Sequence, residues 1–472
     1  MGYTKKKIYA AVGTAACVLV AVIVVLAIVL GGSKNAGETD LTATGSDGSP
    51  AGNVAEVSAE TSEEETSPEE PETESLTEEE TTPEETTPEE TATEAPTTEE
   101  STTTEAPTTT EAPTTTEAPT TTEASTTTQA PTTTQEQTTT EKQATVKAAT
   151  GKTYDFTICF AGDINLDEDW ATTQYLDTCE NGIYDCISAE LITRMQEADL
   201  MCLNNEFTYS TRGTPLANKV YTFRANPSRV EILKQLGVDT VYLANNHVYD
   251  YGEDALLDTF DTLDSAGITY FGAGHNLTEA MEAVYYEFDG VTVSLVAASR
   301  AEKYKLTPQA TATSPGILRC YDTSLFIQAI KTAKANSDFC IAVVHWGTEY
   351  SYTLEDVQLT TGKEYLDAGA DIVIGAHSHC LQGMEYYDGK PIIYSLGNYW
   401  FNDKTLDTML LSLHFYGDGT TDSLDVEVVP AVQKDCKTTI ASSDSERRRI
   451  FDFLESISVN VEIGDDGIVR EE

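Results

Sequence analysis

The sequence predicts an α/β fold in which two β-sheets lie between layers of helices. Between residues 150 and 472, short apolar runs typical of buried strands alternate with longer amphipathic stretches typical of helices. Such alternation predicts a largely parallel sheet covered by helices. Several apolar runs end in short polar segments, and open α/β sheets bind ligands at the carboxyl ends of their strands. Asp-Gly pairs between closely spaced later runs predict a second, partly antiparallel sheet.

Each element follows from the period of its apolar residues. The uncharged early runs are predicted as buried strands at Phe156–Ala161, Val238–Ala244, Cys340–Val344 and Asp371–Gly375. The amphipathic stretches are predicted as helices at Ile187–Ala198, Pro227–Leu236, Glu253–Ala266, Thr323–Asn336 and Glu355–Ala368. The later runs are predicted as strands at Ala283–Phe288, Val291–Ala297, Met384–Tyr387, Pro391–Ser395 and Thr408–Phe415, with hairpin turns at Asp289-Gly290 and Asp388-Gly389. Residues 436–472 are predicted as a helical tail around Ser445–Ser456.

The N-terminal segment has the pattern of a membrane anchor. Residues 1–7 contain three lysines and no acid, and the run from Ile8 to Leu30 has no charge. As a helix this run would extend about 34 Å, enough to cross a hydrocarbon core of roughly 30 Å. The preceding lysines place residues 1–7 in the cytoplasm and the folded body outside the cell, so residues 8–30 are predicted as a single-pass transmembrane signal anchor. A cleavable signal peptide is the alternative, although its apolar region would usually span only about 7–15 residues.

Residues 31–150 are predicted as a disordered spacer. They consist mainly of Thr, Glu, Pro and Ala, and a Glu-Ala-Pro-Thr-Thr-Thr hexad repeats from Glu105. Such a segment cannot bury enough apolar surface to fold, and regular prolines with like charges favour an extended chain. The net charge of −51 argues against nucleic acid as a partner, because the phosphate backbone would be repelled.

The cysteines argue against a thiolate metal site, because the chain has no CxxC pattern. Cys179 and Cys186 flank a glycine-containing turn and form a candidate disulfide outside the cell. Cys159, Cys202 and Cys340 lie in strand-like runs and are interpreted as small core residues.

The polar segments at the ends of the predicted strands carry the candidate chemistry. They contain two carboxylates, an amide and four imidazoles, at Asp163, Glu206, Asn246, His247, His345, His377 and His379. Hard and borderline divalent metals take these ligand types, and a two-metal site can clamp the attacking and leaving oxygens of a displacement. Paired histidines two residues apart can direct their rings to two neighbouring ions. His275 and His414 lie outside this pattern and are interpreted as structural.

The same segments, in their order and spacing, resemble the CapA family of poly-γ-glutamate capsule biosynthesis proteins, which are similar to calcineurin-like metallophosphoesterases. The resemblance covers residues 156–415. It rests on Ala161-Gly162-Asp163-Ile164, Asn204-Asn205-Glu206, Tyr221–Pro227, Ala244-Asn245-Asn246-His247 with Asp250-Tyr251-Gly252, His345–Glu349, Gly375–His379 and Tyr394–Tyr399. It implies a four-layer α/β/β/α sandwich, metallophosphoesterase-like, in residues 151–435.

The resemblance also implies roles for individual residues around two divalent metal ions, of Mn, Fe or Zn. One ion would be held by Asp163, Glu206 and His379, and the other by Glu206, Asn246, His345 and His377. His247 would act as general acid, with Asp250 orienting it. The candidate substrate contacts are Arg224, Asn398 and Asn165. Many phosphoesterases have Asp-x-His in the first motif where this chain has Asn165, and an Asp where it has Glu206, differences that would weaken the first metal site.

The leading hypothesis is a membrane-anchored protein whose folded domain lies on the cell-wall side. It would be a dinuclear metal-dependent hydrolase of phosphoester or related bonds that acts on, or helps to export, an anionic envelope polymer such as poly-γ-glutamate. Polymer synthase and export subunits are expected as partners from the resemblance alone. One alternative is a non-catalytic, metal-stabilised scaffold or export subunit of a polymer synthase complex. Another is a purely structural wall protein whose functional part is the spacer.

Overall fold

The computed structural model describes residues 150–302 and 306–472. The predicted anchor at residues 8–30 and the predicted spacer, apart from Thr150, lie outside these ranges. Among the described residues, none of the helices has the length and apolar character that a transmembrane span requires.

The described residues form a mixed α/β fold. Its helices are α1 Ala171–Leu176, α2 Ala189–Glu197, α3 Val230–Gln235, α4 Glu253–Ala266, α5 Leu277–Ala280, α6 Ser324–Ala335, α7 Asp356–Asp367 and α8 Asp444–Ser456. Short 3-10 turns are present at Gly182–Asp185 and Pro227–Arg229. The amphipathic stretches therefore form helices as predicted, and the predicted helix Glu253–Ala266 has the same bounds in the structure.

The strands alternate with these helices in the first part of the fold and follow one another in the last part. They are β1 Thr153–Ile164, β2 Leu200–Asn205, β3 Thr208–Tyr209, β4 Arg224–Ala225, β5 Thr240–Tyr242, β6 Thr269–Phe271, β7 Ala273–Gly274, β8 Val284–Phe288, β9 Val291–Ser299, β10 Gly316–Ile317, β11 Phe339–His345, β12 Ile372–Ala376, β13 Leu381–Tyr387, β14 Lys390–Leu396, β15 Asn398–Trp400, β16 Leu406–Asp418, β17 Asp422–Lys434, β18 Lys437–Ile440, β19 Val461–Ile463 and β20 Ile468–Glu471.

The larger sheet of the described residues has the order β19-β20-β17-β16-β1-β2-β5-β6, with β15 beside β1 and β18 beside β17. Strands β1, β2, β5 and β6 run parallel, whereas β16 and β17 run antiparallel to their neighbours. The parallel half brings the ends of β1, β2 and β5 to one edge, where the predicted polar segments begin.

The smaller sheet has the order β13-β14-β12-β11-β9-β8. Its central strands are parallel, and the edge strands β8 and β13 pair antiparallel through tight hairpins. Asp289 and Asp388 have φ values of 50° in these turns and are followed by glycines that also have positive φ. This backbone is the one that Asp-Gly hairpin turns adopt, so the second, partly antiparallel sheet forms as predicted.

Hydrophobic clusters of the described residues show how the layers pack. One cluster joins the facing sides of the two sheets, and it includes Phe156, Leu295 and Ile341. A second lies between the larger sheet and helices α2, α3 and α4, and a third lies between the smaller sheet and helices α6 and α7. The order through the fold is therefore helices, sheet, sheet, helices.

Strand β1 shows why the sequence contains continuous apolar runs instead of an alternating pattern. Phe156, Ile158 and Phe160 face the second sheet, whereas Cys159 and Ala161 face the helices. Because both faces are covered, both sets of side chains must be apolar. Each large side chain buried in this way contributes about 1.5–3 kcal/mol to the free energy of unfolding.

The prediction of a helical tail for residues 436–472 is incomplete. Helix α8 is present, and the Ser443 side chain caps it by accepting a hydrogen bond from the Glu446 N–H at 3.2 Å. The same segment also contributes β18, β19 and β20 to the larger sheet. Because β18 pairs with β17 in a hairpin, the predicted domain boundary at residue 435 falls within continuous structure.

Cys179 and Cys186 are close together but are both thiols in the structure, with their Sγ atoms 3.8 Å apart. The 3-10 turn Gly182–Asp185 lies between them. The disulfide between them stays a prediction.

The close approach of β1 to the residues before β15 generates a stability prediction. A Cβ atom at Gly162 would overlap the carbonyl oxygen of Gly397. We expect Gly162→Ala to lower the free energy of unfolding by about 3 kcal/mol or more, because backbone atoms cannot move aside as a flexible side chain can. Chemical unfolding of the full chain measures the effect.

Gly290→Ala is the matched control for this substitution. A Cβ atom at Gly290 would meet nothing within 4 Å, so the variant carries only the penalty of a positive φ, about 1–2 kcal/mol. Equal destabilisation by the two substitutions would contradict the close backbone contact.

Candidate metal centre

The predicted polar segments meet where the carboxyl ends of the parallel strands of both sheets converge. Asp163 is near the end of β1 and Glu206 directly follows β2. His345 is the last residue of β11, and His377 and His379 follow β12. All these side chains are buried, although they carry charge or hydrogen-bonding groups. Burial of so many polar groups in one place requires that they satisfy one another or bind a ligand.

A β-bulge in β1 places Asp163 in the centre. The register of β1 against β2 shifts between Ala161 and Asp163, so that Asp163 lies opposite Asn204. The N–H of Asp163 donates to the carbonyl oxygen of Gly397 at 3.0 Å. Bulges re-aim side chains at the ends of strands, and this one brings the carboxylate toward the second sheet.

The loop after β12 holds its two histidines in an uncommon backbone conformation. His377 and His379 have φ values of 94° and 54°, in a region that residues other than glycine rarely adopt. The carbonyl oxygen of Ser378, between them, accepts a hydrogen bond from the Tyr350 N–H at 2.6 Å. Backbone strain of this kind persists where the surrounding structure fixes it, and it occurs preferentially at functional sites.

Two groups of side chains in this region have the arrangement of metal ligands. Glu206, His345 and His377 form one group, and Asp163, Glu206 and His379 form the other. Within each group the potential ligand atoms lie within 4.8 Å of one another. Glu206 belongs to both groups, so its carboxylate is shared between them.

Direct contacts already join these side chains in pairs. His379 Nδ1 is 3.2 Å from Asp163 Oδ2, and His345 Nε2 is 3.3 Å from Glu206 Oε1. The Asn246 carboxamide oxygen lies 2.7 Å from His345 Nε2. The amide of Asn246 therefore points to the same ring nitrogen as the Glu206 carboxylate.

Asn204 links the two carboxylates and was not among the residues that the sequence singled out. Its Nδ2 donates to Asp163 Oδ1 at 2.7 Å and to Glu206 Oε2 at 3.1 Å. Its own Oδ1 accepts from Asn245 Nδ2 at 3.0 Å. The Asn204-Asn205-Glu206 segment carried the only sequence signal for this role, because the contact between Asn204 and Asp163 depends on the strand pairing.

Burial shapes the charge of the centre. Burial, together with the Asp163 and Glu349 carboxylates, raises the pKa of Glu206 well above its usual range. Burial lowers the pKa of His345 to about 3, and burial and the neighbouring His345 lower that of His377 well below its usual range. The Glu206 carboxylate therefore favours a proton, and the imidazoles of His345 and His377 are neutral.

Asp163 and His379 behave differently because each stabilises the charge of the other. Burial by itself would raise the pKa of Asp163, but the His379 contact outweighs it and the pKa is lowered. Burial would likewise lower the pKa of His379, but the contact with Asp163 raises it overall. Neutral imidazoles and ionised carboxylates are the forms that bind metals, so binding at this centre would release protons.

The residues present fit divalent cations. Among the described residues, His377 Nδ1 is buried without a hydrogen-bond partner, and Asp163 Oδ2 and Glu206 Oε1 are buried with only the 3.2 Å and 3.3 Å contacts to His379 and His345, which lack hydrogen-bond geometry. Each belongs to a residue of the two candidate ligand groups. Buried atoms of this kind call for a specific explanation. Carboxylate and imidazole ligands suit Mn, Fe and Zn, and metal coordination would satisfy all three atoms.

His247 and Asp250 form a dyad beside these ligands. His247 Nδ1 is 2.6 Å from Asp250 Oδ2, which also accepts from the Phe223 N–H at 2.7 Å. Burial lowers the pKa of His247 well below its usual range and raises that of Asp250 to about 7. Because Nδ1 is engaged by Asp250, Nε2 is the ring nitrogen left for other contacts.

The residues predicted to contact substrate differ in their surroundings: Asn398 and Asn165 belong to or follow the paired strands β15 and β1, whereas the Arg224 side chain turns away. Asn398 is buried, and its Oδ1 lies 2.8 Å from His379 Nδ1, so it supports a candidate ligand. Asn165 is also buried and accepts from the Asp167 N–H at 2.8 Å. The Arg224 guanidinium instead donates to the Arg212 carbonyl at 2.9 Å and lies over the Tyr251 ring. The structure therefore gives Arg224 no contact with the centre.

The residues interpreted as structural lie outside the centre. His275 pairs with Glu279 at 2.8 Å, and His414 pairs with Asp155 at 2.8 Å on the exposed part of β16. Trp346 is fully buried, and its Nε1 donates to the Tyr394 carbonyl at 2.9 Å. Trp346 thus belongs to the hydrophobic cluster between the smaller sheet and its helices.

Comparison with solved structures finds distant likeness. A putative 5'-nucleotidase from Staphylococcus aureus is 18% identical, with a TM-score of 0.37 over 64% of this chain and 58% of that chain. The NAD nucleotidase of Haemophilus influenzae is 13% identical, with a TM-score of 0.34 over 65% of this chain and 57% of that chain.

Comparison with known sequences finds closer likeness. The PGA biosynthesis protein CapA of Bacillus subtilis (strain 168) is 32% identical over 220 residues, which cover 46% of this chain and 57% of that protein. The capsule biosynthesis protein CapA of Bacillus anthracis is 32% identical over 241 residues, covering 50% of this chain and 57% of that protein. The chain therefore spans a little more than half the length of these relatives.

The family model described as bacterial capsule synthesis protein PGA_cap matches residues 157–403, which include every candidate ligand of the metal centre. The match extends over more than half of the 472-residue chain. The chain belongs to the bacterial capsule synthesis protein family.

Proposed function

We propose that this chain is a dinuclear metal-dependent hydrolase of phosphoester or related bonds that serves the synthesis or export of an anionic envelope polymer such as poly-γ-glutamate. The observation that carries the proposal is the shared position of Glu206 in two buried groups of carboxylates and imidazoles. Family membership and the names of the Bacillus relatives support the link to capsule synthesis.

In this proposal Asp163, Glu206 and His379 hold one ion. Glu206, His345 and His377 hold the other, with the Asn246 carboxamide beside it. When bound, two ions of Mn, Fe or Zn would lower the pKa of a water molecule and offset the charge that develops in a phosphoryl displacement. Asn204 keeps the carboxylates of Asp163 and Glu206 in place through its donated hydrogen bonds.

His247 is the group that would exchange a proton with the leaving oxygen. Asp250 contacts Nδ1 of the ring, and burial raises the pKa of Asp250 to about 7. A protonated Asp250 would pass its proton to Nδ1 as the neutral ring gives the proton on Nε2 to the leaving oxygen, so the dyad would act as general acid. The Phe223 ring lies 4.4 Å from the imidazole, measured between ring centroids, and restricts its rotation. Burial of the dyad excludes water that would compete for the proton.

A non-catalytic scaffold or export subunit is the second candidate function. The observation that favours it is Asn165, a residue that offers no imidazole at the position where many phosphoesterases have one. Asn165 Oδ1 is occupied by the Asp167 N–H. In that case the ions would stabilise the fold and help to bridge the acidic protein to a polyanion.

The proposal also places the chain in the cell. Residues 8–30 would anchor it in the membrane as a single pass with residues 1–7 inside. Residues 31–150 would carry the folded domain into the cell-wall layer, where polymer synthase or export subunits would be its partners. Support for this part comes from the sequence pattern of residues 1–150.

Metal content tests the proposed centre. We expect the full chain, purified in detergent, to bind close to two equivalents of Mn, Fe or Zn. His377→Ala combined with His379→Ala should lose most of the metal, because one ligand is removed from each candidate group. Elemental analysis by mass spectrometry measures the content.

His275→Ala combined with His414→Ala is the control for the loss of two histidines, since both residues pair with acids away from the centre. This control should retain the metal. Equal metal content in both double variants would show that His377 and His379 are not ligands.

A substitution at His247 separates a hydrolase from a scaffold. His247→Gln should lower kcat on bis(p-nitrophenyl) phosphate by about 10²–10⁴-fold, the usual contribution of a general acid. Metal content should stay the same, because His247 lies outside both ligand groups. Steady-state kinetics beside His275→Gln provide the comparison. Metal without turnover in the unmodified chain would favour the scaffold.

Deletion of residues 8–30 tests the proposed membrane anchor. The full chain should sediment with membranes, and deletion of residues 8–30 should release it into the soluble fraction. A deleted chain that still sediments with membranes would show that another part of the protein makes the attachment.

A further inference from the structure

Lys219 is a buried lysine that the proposed mechanism does not use. Its neighbours Asn218 and Val220 are exposed, but only 6% of the Lys219 side chain is exposed. The ammonium group is 2.7 Å from Asp250 Oδ1 and 2.6 Å from Glu302 Oε1. Lys219 Nζ also donates to the main-chain carbonyl of Asn246. A lysine is rarely buried unless charged groups surround it, so these contacts specify where the ammonium must lie.

The first of these contacts fixes the carboxylate that orients His247. Asp250 Oδ2 faces His247 Nδ1 at 2.6 Å and the Phe223 N–H at 2.7 Å. Asp250 Oδ1 faces Lys219 and has no other partner among the described residues. Because each oxygen has its own cationic or donor group, the carboxylate cannot rotate about its Cβ–Cγ bond without losing both.

The remaining contacts of Lys219 reach the backbone of the candidate ligand Asn246 and Glu302 in the segment after β9. The carbonyl of Asn246 accepts from Thr307 Oγ1 at 2.8 Å as well as from Lys219. Arg319 donates to the carbonyls of Thr307 and Glu302, each at 2.7 Å. Lys219, which precedes β4, is therefore joined to Glu302, which follows β9. Lys219 and Thr307 both donate to the main-chain carbonyl of Asn246, and so hold the backbone from which the Asn246 side chain extends.

We propose that Lys219 is a positioning residue of the centre, which sets the His247 ring through Asp250 and the Asn246 carboxamide through its own main-chain carbonyl. The effect of Lys219 on turnover rests on the proposed function. A residue that only stabilised the fold would not need to touch both the partner of the dyad and the backbone of a candidate ligand. Lys219 touches both with a single ammonium group.

Kinetics of the full, metal-loaded chain test the consequence for turnover. Lys219→Met should lower kcat on bis(p-nitrophenyl) phosphate by about 10–100-fold, the size of effect usual for groups that orient catalytic or ligand residues. KM should change little, since the buried Lys219 ammonium is engaged by Asp250, Glu302 and the Asn246 carbonyl. Lys363→Met, which removes another ion-paired lysine, from Glu385 at 2.8 Å, should leave kcat unchanged.

A double-mutant cycle tests the route through Asp250. If Lys219 acts on His247 through Asp250, then Lys219→Met should cause little further loss of kcat in a chain that already carries Asp250→Asn. A full additional loss in that background would overturn the proposed route.

A chemical readout on His247 separates this inference from the proposed function. Diethyl pyrocarbonate modifies neutral imidazoles, and peptide mass spectrometry gives the rate for His247 with His275 of the same sample as the reference. In Lys219→Met the His247 rate relative to His275 should rise several-fold, because the released ring exposes its nitrogens. Absence of turnover in the unmodified chain would contradict the proposed function alone, whereas an unchanged His247 rate in Lys219→Met would overturn the positioning role.

Two further variants keep the test decisive if Lys219→Met does not fold. Lys219→Arg retains the charge but not the compact geometry of the ammonium, so it should raise the His247 rate by a smaller factor. Glu302→Gln leaves the contact between Lys219 and Asp250 in place and should leave the His247 rate near that of the unmodified chain. A His247 rate in Lys219→Arg equal to that of the unmodified chain would contradict the inference.

Discussion

The burial of Asp163 and Glu206 side by side is the constraint on which the rest of the centre depends. Two carboxylates in a dry interior repel each other, and the second one resists ionisation. Asn204 donates to both, His379 pairs with Asp163, and His345 lies next to Glu206. These neighbours reduce the repulsion without removing it, since the pKa of Glu206 remains far above its usual range. The arrangement is therefore suited to cations, which would replace the proton and satisfy both carboxylates.

The fold brings these groups together by letting the ends of two sheets approach closely. Gly162 lies near the end of β1, where a Cβ atom would overlap the carbonyl oxygen of Gly397, the residue between β14 of the smaller sheet and β15 of the larger one. A side chain at this position would separate these segments and move Asp163 away from the histidine loop. The apolar layer between the sheets fixes their distance farther along the strands. Packing in the core thus determines how well the candidate ligands can converge.

The surroundings of the centre divide its residues by task. The two ligand groups lie in the interior between the sheet ends, and the dyad of His247 and Asp250 lies beside them. Lys219 donates to the Asn246 carbonyl next to the dyad, and Arg319 donates to the carbonyl of Thr307, whose hydroxyl donates to the same Asn246 carbonyl. Glu349, exposed in the segment after β11, adds negative charge near Glu206 and His379. This added negative charge would repel a polyanion from a centre without cations.

The sequence by itself determined the elements that have a local signal. The 3.6-residue period gave the bounds of α4, the Asp-Gly turns gave the edge hairpins, and polar residues after apolar runs gave the candidate ligand types. Tertiary structure decided what depends on contacts between distant residues. Strands β18, β19 and β20 are short and mixed in character, so only their pairing with β17 and with each other makes them strands. Arg224 turned toward Tyr251 and Lys219 turned toward Asp250 for the same reason, because the position of a long side chain is set by the partners that folding brings within reach.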